Sequence, residues 1–381
     1  MLWAVISLGS CAPARTILQQ ADLSPEAFAP VKLENPQTSF AQLERTIYGQ
    51  FTPPTRFELK TSETLSRDWL DGRATVERRE YIVSHGQTPQ TLEFVFVTPT
   101  NNPNAPLIVT QNFTSNRAVV AKKKESPLEG EGMSMGPLGG VFKFFFGRHI
   151  VEHPYEDILD RGYGVVAVHP PAYVADRAEH GTQQLNAIFG DRADRPGALT
   201  VWSSLTTELA KQLKSDQPSR PIIAYGHSRY GKTALLAAAY GSEVDAVISH
   251  QSGTAGASLI RDKTGETLKN VVDRYPQWLT PQAAQYADNP RALPTDAHAL
   301  LAVITKPILL GNARRDVWSD PEGAYQAARW ASQNTSQSFT ATRLDDFKPQ
   351  DDIVIWTRPG THGVVKEDWP AFLEFLDAHF K

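Results

Sequence analysis

Short apolar runs recur along the chain, each bounded by polar or glycine-containing stretches. Residues 107–110, 164–168, 222–225, 244–249, 307–310 and 353–356 are four to six residues long and mostly apolar. Runs of this length and evenness suit strands buried on both faces. Between them lie segments with helical apolar spacing, over 155–160, 199–214, 321–332 and 367–380, and a shorter helix is expected over 39–48. Residues 76–83 and 92–98 predict an antiparallel pair of strands. Short strands alternating with helices imply a mostly parallel sheet covered by helices on both faces. Residues 172–197 are polar and irregular, as loops that build a site commonly are. Residues 122–149 are rich in Lys, Glu and Gly and carry Phe142, Phe144, Phe145 and Phe146. They read either as a surface loop pinned by aromatics or as an insertion over a site.

With 381 residues the chain can bury a large core. Its net charge of −4 gives no reason to expect a nucleic-acid partner. One cysteine excludes an intrachain disulfide and a thiolate metal cluster, and no cofactor or metal is expected. That cysteine, Cys11, follows an apolar run over residues 2–8, and Leu8-Gly9-Ser10-Cys11 resembles a bacterial lipoprotein cleavage box. The basic segment that usually opens a signal peptide is missing. The expectation is a signal over 1–11, a tether over 12–38 rich in Ala, Pro and Gln, and one domain over 39–381. The protein would then be exported, periplasmic or at the cell surface, touching the membrane only through a lipid on Cys11. No other segment reaches the roughly 18 apolar residues that span a bilayer.

Candidate chemistry concentrates at residues 226–233, Gly-His-Ser-Arg-Tyr-Gly-Lys-Thr, between the 222–225 strand and an Ala- and Leu-rich helix. A serine on a sharp strand-to-helix turn is how an α/β-hydrolase presents its nucleophile. Gly226 lets the chain turn and Gly231 lets the helix pack on the sheet, which leaves Ser228 at the tip. The same letters match a phosphate loop, G-x-x-x-x-G-K-[ST], in the same strand-to-helix context. The rest of the chain decides between them. A nucleotide site needs a second strand ending in aspartate to hold magnesium, whereas the strands here run into His169, His250 and Gly311. A hydrolase needs an acid and then a histidine after the serine. Asp316 follows the 307–310 strand, and His362, in Gly-Thr-His-Gly, follows the 353–356 strand. The fold class expected is α/β, an α/β-hydrolase with a mostly parallel central sheet.

The elbow departs from G-x-S-x-G, because Tyr230 occupies the second glycine's place and Gly231 comes next. Gly-x-Ser-Arg-x-Gly-Lys resembles the signature of the glucuronoyl esterases, α/β-hydrolases that cleave esters between 4-O-methyl-glucuronate on xylan and lignin alcohols. Residues 94–99, 156–162, 247–253, 274–278 and 316–323 are similar to bacterial members, so the resemblance covers about residues 40–380. It implies a carbohydrate substrate, Ser228 as nucleophile, His362 as base and Arg229 as oxyanion ligand. It implies substrate contacts for Lys232 and Trp318, and Gln251 and Trp278 join them as candidates. A tryptophan suits a sugar through its apolar face and its N–H donor. Many members carry a glutamate where Gln251 stands. A neutral amide cannot stabilise imidazolium as an anion does, so Asp316 is the acid expected, with Asp320 and Glu322 as neighbouring substitutes. The alternatives are an acetyl-xylan or other carbohydrate esterase, and a carbohydrate-binding lipoprotein with impaired catalysis.

Overall fold

The computed structural model describes residues 19–23, 31, 33, 35–86, 88–121, 125–128, 146–262 and 265–381. Cys11 and its cleavage box lie outside the described residues, as do Phe142, Phe144 and Phe145.

Nine strands form one sheet: β1 (Arg56–Asp68), β2 (Ala74–Ser84), β3 (Gln90–Pro99), β4 (Leu107–Gln111), β5 (Gly164–Val168), β6 (Ile222–His227), β7 (Ala246–His250), β8 (Ile308–Ala313) and β9 (Ile353–Arg358). Their order is β1-β2-β3-β5-β4-β6-β7-β8-β9. The first three and β5 pair antiparallel, and every pairing from β5 through β4 to β9 is parallel. Side chains of a strand alternate between faces, and here both faces are covered. Leu107, Val109, Ile222, Ala224, Val247 and Ile308 enter one core with the helices Ala198–Asp216, Arg229–Tyr240 and Pro321–Gln333. Ile108, Ile223, Tyr225, Ile248 and Leu309 enter the other with the helices Tyr155–Asp160 and Asp368–Phe380. This is why the central strands read as unbroken apolar runs. The chain has the α/β-hydrolase fold expected from its sequence.

Several elements were not legible in the pattern, among them a strand and a helix. Strand β1 is mostly exposed along its length, so it carries no apolar alternation, and its ladder with β2 holds it instead. The polar stretch 172–197 holds a helix, Ala178–Phe189, that buries only Gly181 and Leu185. Of its apolar side chains only Leu185 is fully buried, with Ile188 and Phe189 half-buried against the core, so the helix carries little periodic signal.

Near the N-terminus the first helix begins at Pro36, inside the stretch read as a tether. Asn35 caps it by accepting from the Thr38 N–H at 3.1 Å. Earlier residues also lie against the body. Leu33 is buried in the core, the Val31 carbonyl accepts from His298 Nε2 at 2.8 Å, and the Ala21 N–H donates to the Arg314 carbonyl at 2.7 Å. Among the described residues no helix is long and apolar enough to cross a membrane.

Candidate active site

Ser228 joins β6 to the elbow helix Arg229–Tyr240, with φ 57° and ψ −124°. A serine rarely adopts that conformation, and it persists only where the surroundings fix it. The Ser228 N–H donates to the His250 carbonyl at 2.8 Å, and the Ser228 carbonyl accepts from Gly231 N–H at 2.9 Å. A Cβ on Gly226 would stand 2.0 Å from the Tyr230 carbonyl oxygen, so only glycine fits before the bend. Tyr230 itself is buried between Phe113 and Trp202. The residue that departs from the usual elbow is thus part of the core.

Asp316 follows β8 and His362 follows β9. The imidazole Nδ1 lies 2.7 Å from Asp316 Oδ2, with both side chains buried. Burial pushes the Asp316 carboxyl up, but the facing His362 outweighs it and holds the acid below the usual carboxylate range. The Ser319 N–H approaches Asp316 Oδ1 at 3.3 Å, and the Ser319 hydroxyl lies 3.3 Å from His362 Nδ1. His362 Nε2 has no hydrogen-bond partner among the described residues, Ser228 included. The two are neighbours through His227, the residue before the serine, whose ring centroid is 4.6 Å from that of His362. Burial and the surrounding cations and histidines hold His227 well below its ordinary range, so it is a neutral wall of the site. The structure therefore joins acid and imidazole directly and sets the residue before the serine against that imidazole, with one imidazole nitrogen uncommitted among the described residues.

Arg229 is the first residue of the elbow helix. Its guanidinium pairs with Asp176, 4.7 Å from the Trp278 ring centroid and 5.5 Å from that of Phe113. Asp176 also accepts from Trp278 Nε1 at 2.8 Å and Gln277 Nε2 at 3.1 Å. Trp278 stacks on Tyr275 at 3.8 Å. With its indole N–H given to Asp176, Trp278 flanks the Arg229 guanidinium. Asp176 lies in the irregular stretch after β5, which gave no signal for it.

Lys232 turns into the fold. Its ammonium donates to the Ser252 carbonyl and, at 2.6 Å, to the Thr254 carbonyl, and it lies 3.8 Å from Glu266. Thr233 Oγ1 lies 2.6 Å from Gln111 Oε1 and 2.8 Å from the Tyr230 carbonyl. The lysine and hydroxyl that a phosphate loop would turn to its ligand are therefore engaged inside the fold. Trp318 is nearly buried, its Nε1 has no partner among the described residues, and Arg274 stands 5.6 Å from its ring centroid. Gln251 does not bond the imidazole. Its Oε1 accepts from the Gly363 N–H at 2.8 Å and its Nε2 donates to the Thr361 carbonyl at 3.3 Å. Among the described residues no group of three or more His, Cys, Asp or Glu could hold a metal.

A family model described as glucuronyl esterase, fungi, matches residues 156–337, the segment holding Asp176, the elbow, Gln251 and Asp316. Over that segment, just under half of its length, the chain is similar to the glucuronoyl esterases. Outside that model, a curated carbohydrate esterase, MZ0003, from an unknown prokaryotic organism is 35% identical over 173 residues, covering 43% of this chain and 40% of that protein. The 4-O-methyl-glucuronoyl methylesterase 1 of Wolfiporia cocos is 25% identical over 162 residues, 39% of this chain and 40% of that protein. The matched stretch thus spans well under half the length of these curated relatives. In fold, the glucuronoyl esterase from Solibacter usitatus superposes with a TM-score of 0.75 at 23% identity, covering 97% of this chain and 99% of that one. The elbow lies within the matched segment, while His362 lies beyond it and joins the site through the fold.

Proposed function

We propose that this protein is a carboxylic ester hydrolase acting on glucuronoyl esters of plant-type glycans, with Ser228, His362 and Asp316 as its triad. The observation that carries the reading is the 2.7 Å bond from His362 to Asp316 beside a serine held at φ 57°. An imidazole oriented by a buried carboxylate, with its other nitrogen uncommitted, is what a serine nucleophile needs as its base. Ser228 Oγ attacks the ester carbonyl and His362 Nε2 takes its proton. Asp316 stabilises the imidazolium. Arg229, through its N–H and guanidinium, binds the oxyanion, where losing one donor commonly costs about 3–4 kcal/mol. The alcohol leaves with the proton from His362, and water, deprotonated by the same imidazole, cleaves the acyl-enzyme to free uronate.

The curated relatives named for glucuronoyl methyl ester cleavage support the acid side of the ester. The relative named only as a carbohydrate esterase favours a wider range of carbohydrate esters as the second reading. Turnover of methyl or benzyl glucuronate by wild type and Ser228→Ala tests the first, with acetylated xylan run alongside for the second. Activity on glucuronate esters that survives Ser228→Ala would remove the triad. A faster rate on acetylated xylan would move the substrate class. The cleavage box before Cys11 supports export as a lipoprotein, which palmitate labelling of wild type against Cys11→Ser tests.

A further inference from the structure

Gln251 stands where the resemblance calls for an acid, yet its amide reaches past the imidazole to the backbone on either side of His362. It accepts from the Gly363 N–H at 2.8 Å and donates to the Thr361 carbonyl at 3.3 Å. Arg358, the last residue of β9, grips the same two residues from the strand that leads into them. Its Nη2 donates to the Thr361 carbonyl at 3.2 Å and the Gly363 carbonyl at 2.8 Å, while its Nε donates to Asp368 at 2.8 Å. Both side chains are buried. Gln251 is itself in the left-handed region, φ 50°, which a non-glycine residue keeps only when its surroundings fix it. Here they do: the Gln251 N–H donates to the Gly311 carbonyl at 2.7 Å, and the Gln251 carbonyl accepts from Ser319, which also touches His362 Nδ1.

We propose that Gln251 and Arg358 form a two-sided clamp on residues 361–363 that fixes His362 in register with Asp316, making Gln251 a positioning residue for the base. The inference rests on the triad reading above. An amide suits this place better than a carboxylate, because one end must accept from an N–H and the other must donate to a carbonyl. A glutamate would meet the Thr361 carbonyl with a second acceptor. Gln251 is therefore matched to the clamp, and its neutrality does not by itself predict a dead enzyme. The acid for the imidazole is supplied from β8 by Asp316.

The test compares Gln251→Met, which keeps the length and loses both bonds, with the near-isosteric Gln251→Glu. The readouts are kcat and KM on benzyl glucuronate, thermal midpoint, and the downfield proton NMR signal of His362 Nδ1–H. Two lost hydrogen bonds to a loop that must stay in register are expected to lower kcat about 10–100-fold in Gln251→Met. KM should stay within about twofold, and the Nδ1 proton should broaden or exchange faster. Gln251→Glu should also lie below wild type in kcat near neutral pH. A Gln251→Met enzyme with wild-type kcat and an unchanged Nδ1 signal would overturn the clamp. So would a Gln251→Glu enzyme faster than wild type, since the position would then favour a carboxylate. The proton signal does not depend on the ester, so it judges the clamp even if wild type fails to turn over glucuronate.

Discussion

Asp316 Oδ2 and His362 Nδ1 lie 2.7 Å apart although 46 positions separate them in the chain. They meet because β8 and β9 are adjacent parallel strands, so the loops leaving both emerge at the same end of the sheet. Replacing the acid by its amide keeps the shape and removes the charge. Asp316→Asn is expected to lower kcat about 10³–10⁴-fold, by analogy with serine protease triads. The loss should be larger than for any Gln251 variant. Steady-state kinetics of the two series decide the matter, and equal losses would return the acid's role to residue 251.

Asp176 and Arg229 form an ion pair with the guanidinium buried and the carboxylate half-buried, and Trp278 and Gln277 donate to the same carboxylate. Removing the carboxylate leaves a buried guanidinium uncompensated, which for a fully buried pair costs about 3–5 kcal/mol and here sets an upper bound. Asp176→Ala should therefore lower both kcat/KM and the urea midpoint. Asp176→Asn, which keeps an acceptor for the Trp278 N–H, should be milder in stability and still impaired in kcat. If Asp176→Ala unfolds at the wild-type urea concentration and turns over normally, Arg229 does not depend on this pair.

Lys232 is expected to act on stability rather than on substrate affinity. Its ammonium satisfies the carbonyls of Ser252 and Thr254 in a buried turn. Lys232→Met would strand those acceptors, at about 1–3 kcal/mol. A chemical denaturation curve paired with KM separates the roles. A large rise in KM with unchanged stability would give Lys232 back to the sugar.

Acid should destabilise the fold through its buried histidines. Burial pushes His85 down to about 4, His153 to about 3 and His298 to about 4. The unfolded chain protonates these groups below about pH 6.5 while the folded protein leaves them neutral. The unfolded state then binds more protons, so stability falls as pH drops from about 6.5 toward 4. The slope is up to about 1.4 kcal/mol per pH unit for each group. Thermal midpoints should hold from pH 7.5 to about 6.5 and then decline toward pH 4.5, and a flat profile below pH 6.5 would contradict the burial of these rings.

Gly226→Ala should fail to fold, or should fold with a rebuilt elbow and no activity. The added Cβ would fall within 2.0 Å of the Tyr230 carbonyl oxygen, a backbone atom that cannot swing aside. Soluble expression and circular dichroism report the first outcome, and ester turnover the second. A well-folded, active Gly226→Ala protein would show that the bend is looser than its geometry implies.

The sequence by itself determined the central sheet and the chain order of the triad candidates. Strands such as β4, β5, β6 and β8 are buried on both faces, so their apolar runs stand out against polar loops. The glycines around Ser228 mark the bend because no larger residue fits there. What the sequence left open concerned partners, which depend on which loops converge in space. Asp176 sits in a stretch without periodicity, and only the packing of that stretch against the elbow gives it to Arg229. Lys232 and Trp278 are residue types that suit a sugar, yet the fold turns the ammonium to backbone carbonyls and the indole N–H to Asp176. Gln251 reads as a lost acid along the chain. In three dimensions it is a hydrogen-bonding clamp, because its amide meets an N–H and a carbonyl contributed by the loop that follows β9, two strands away.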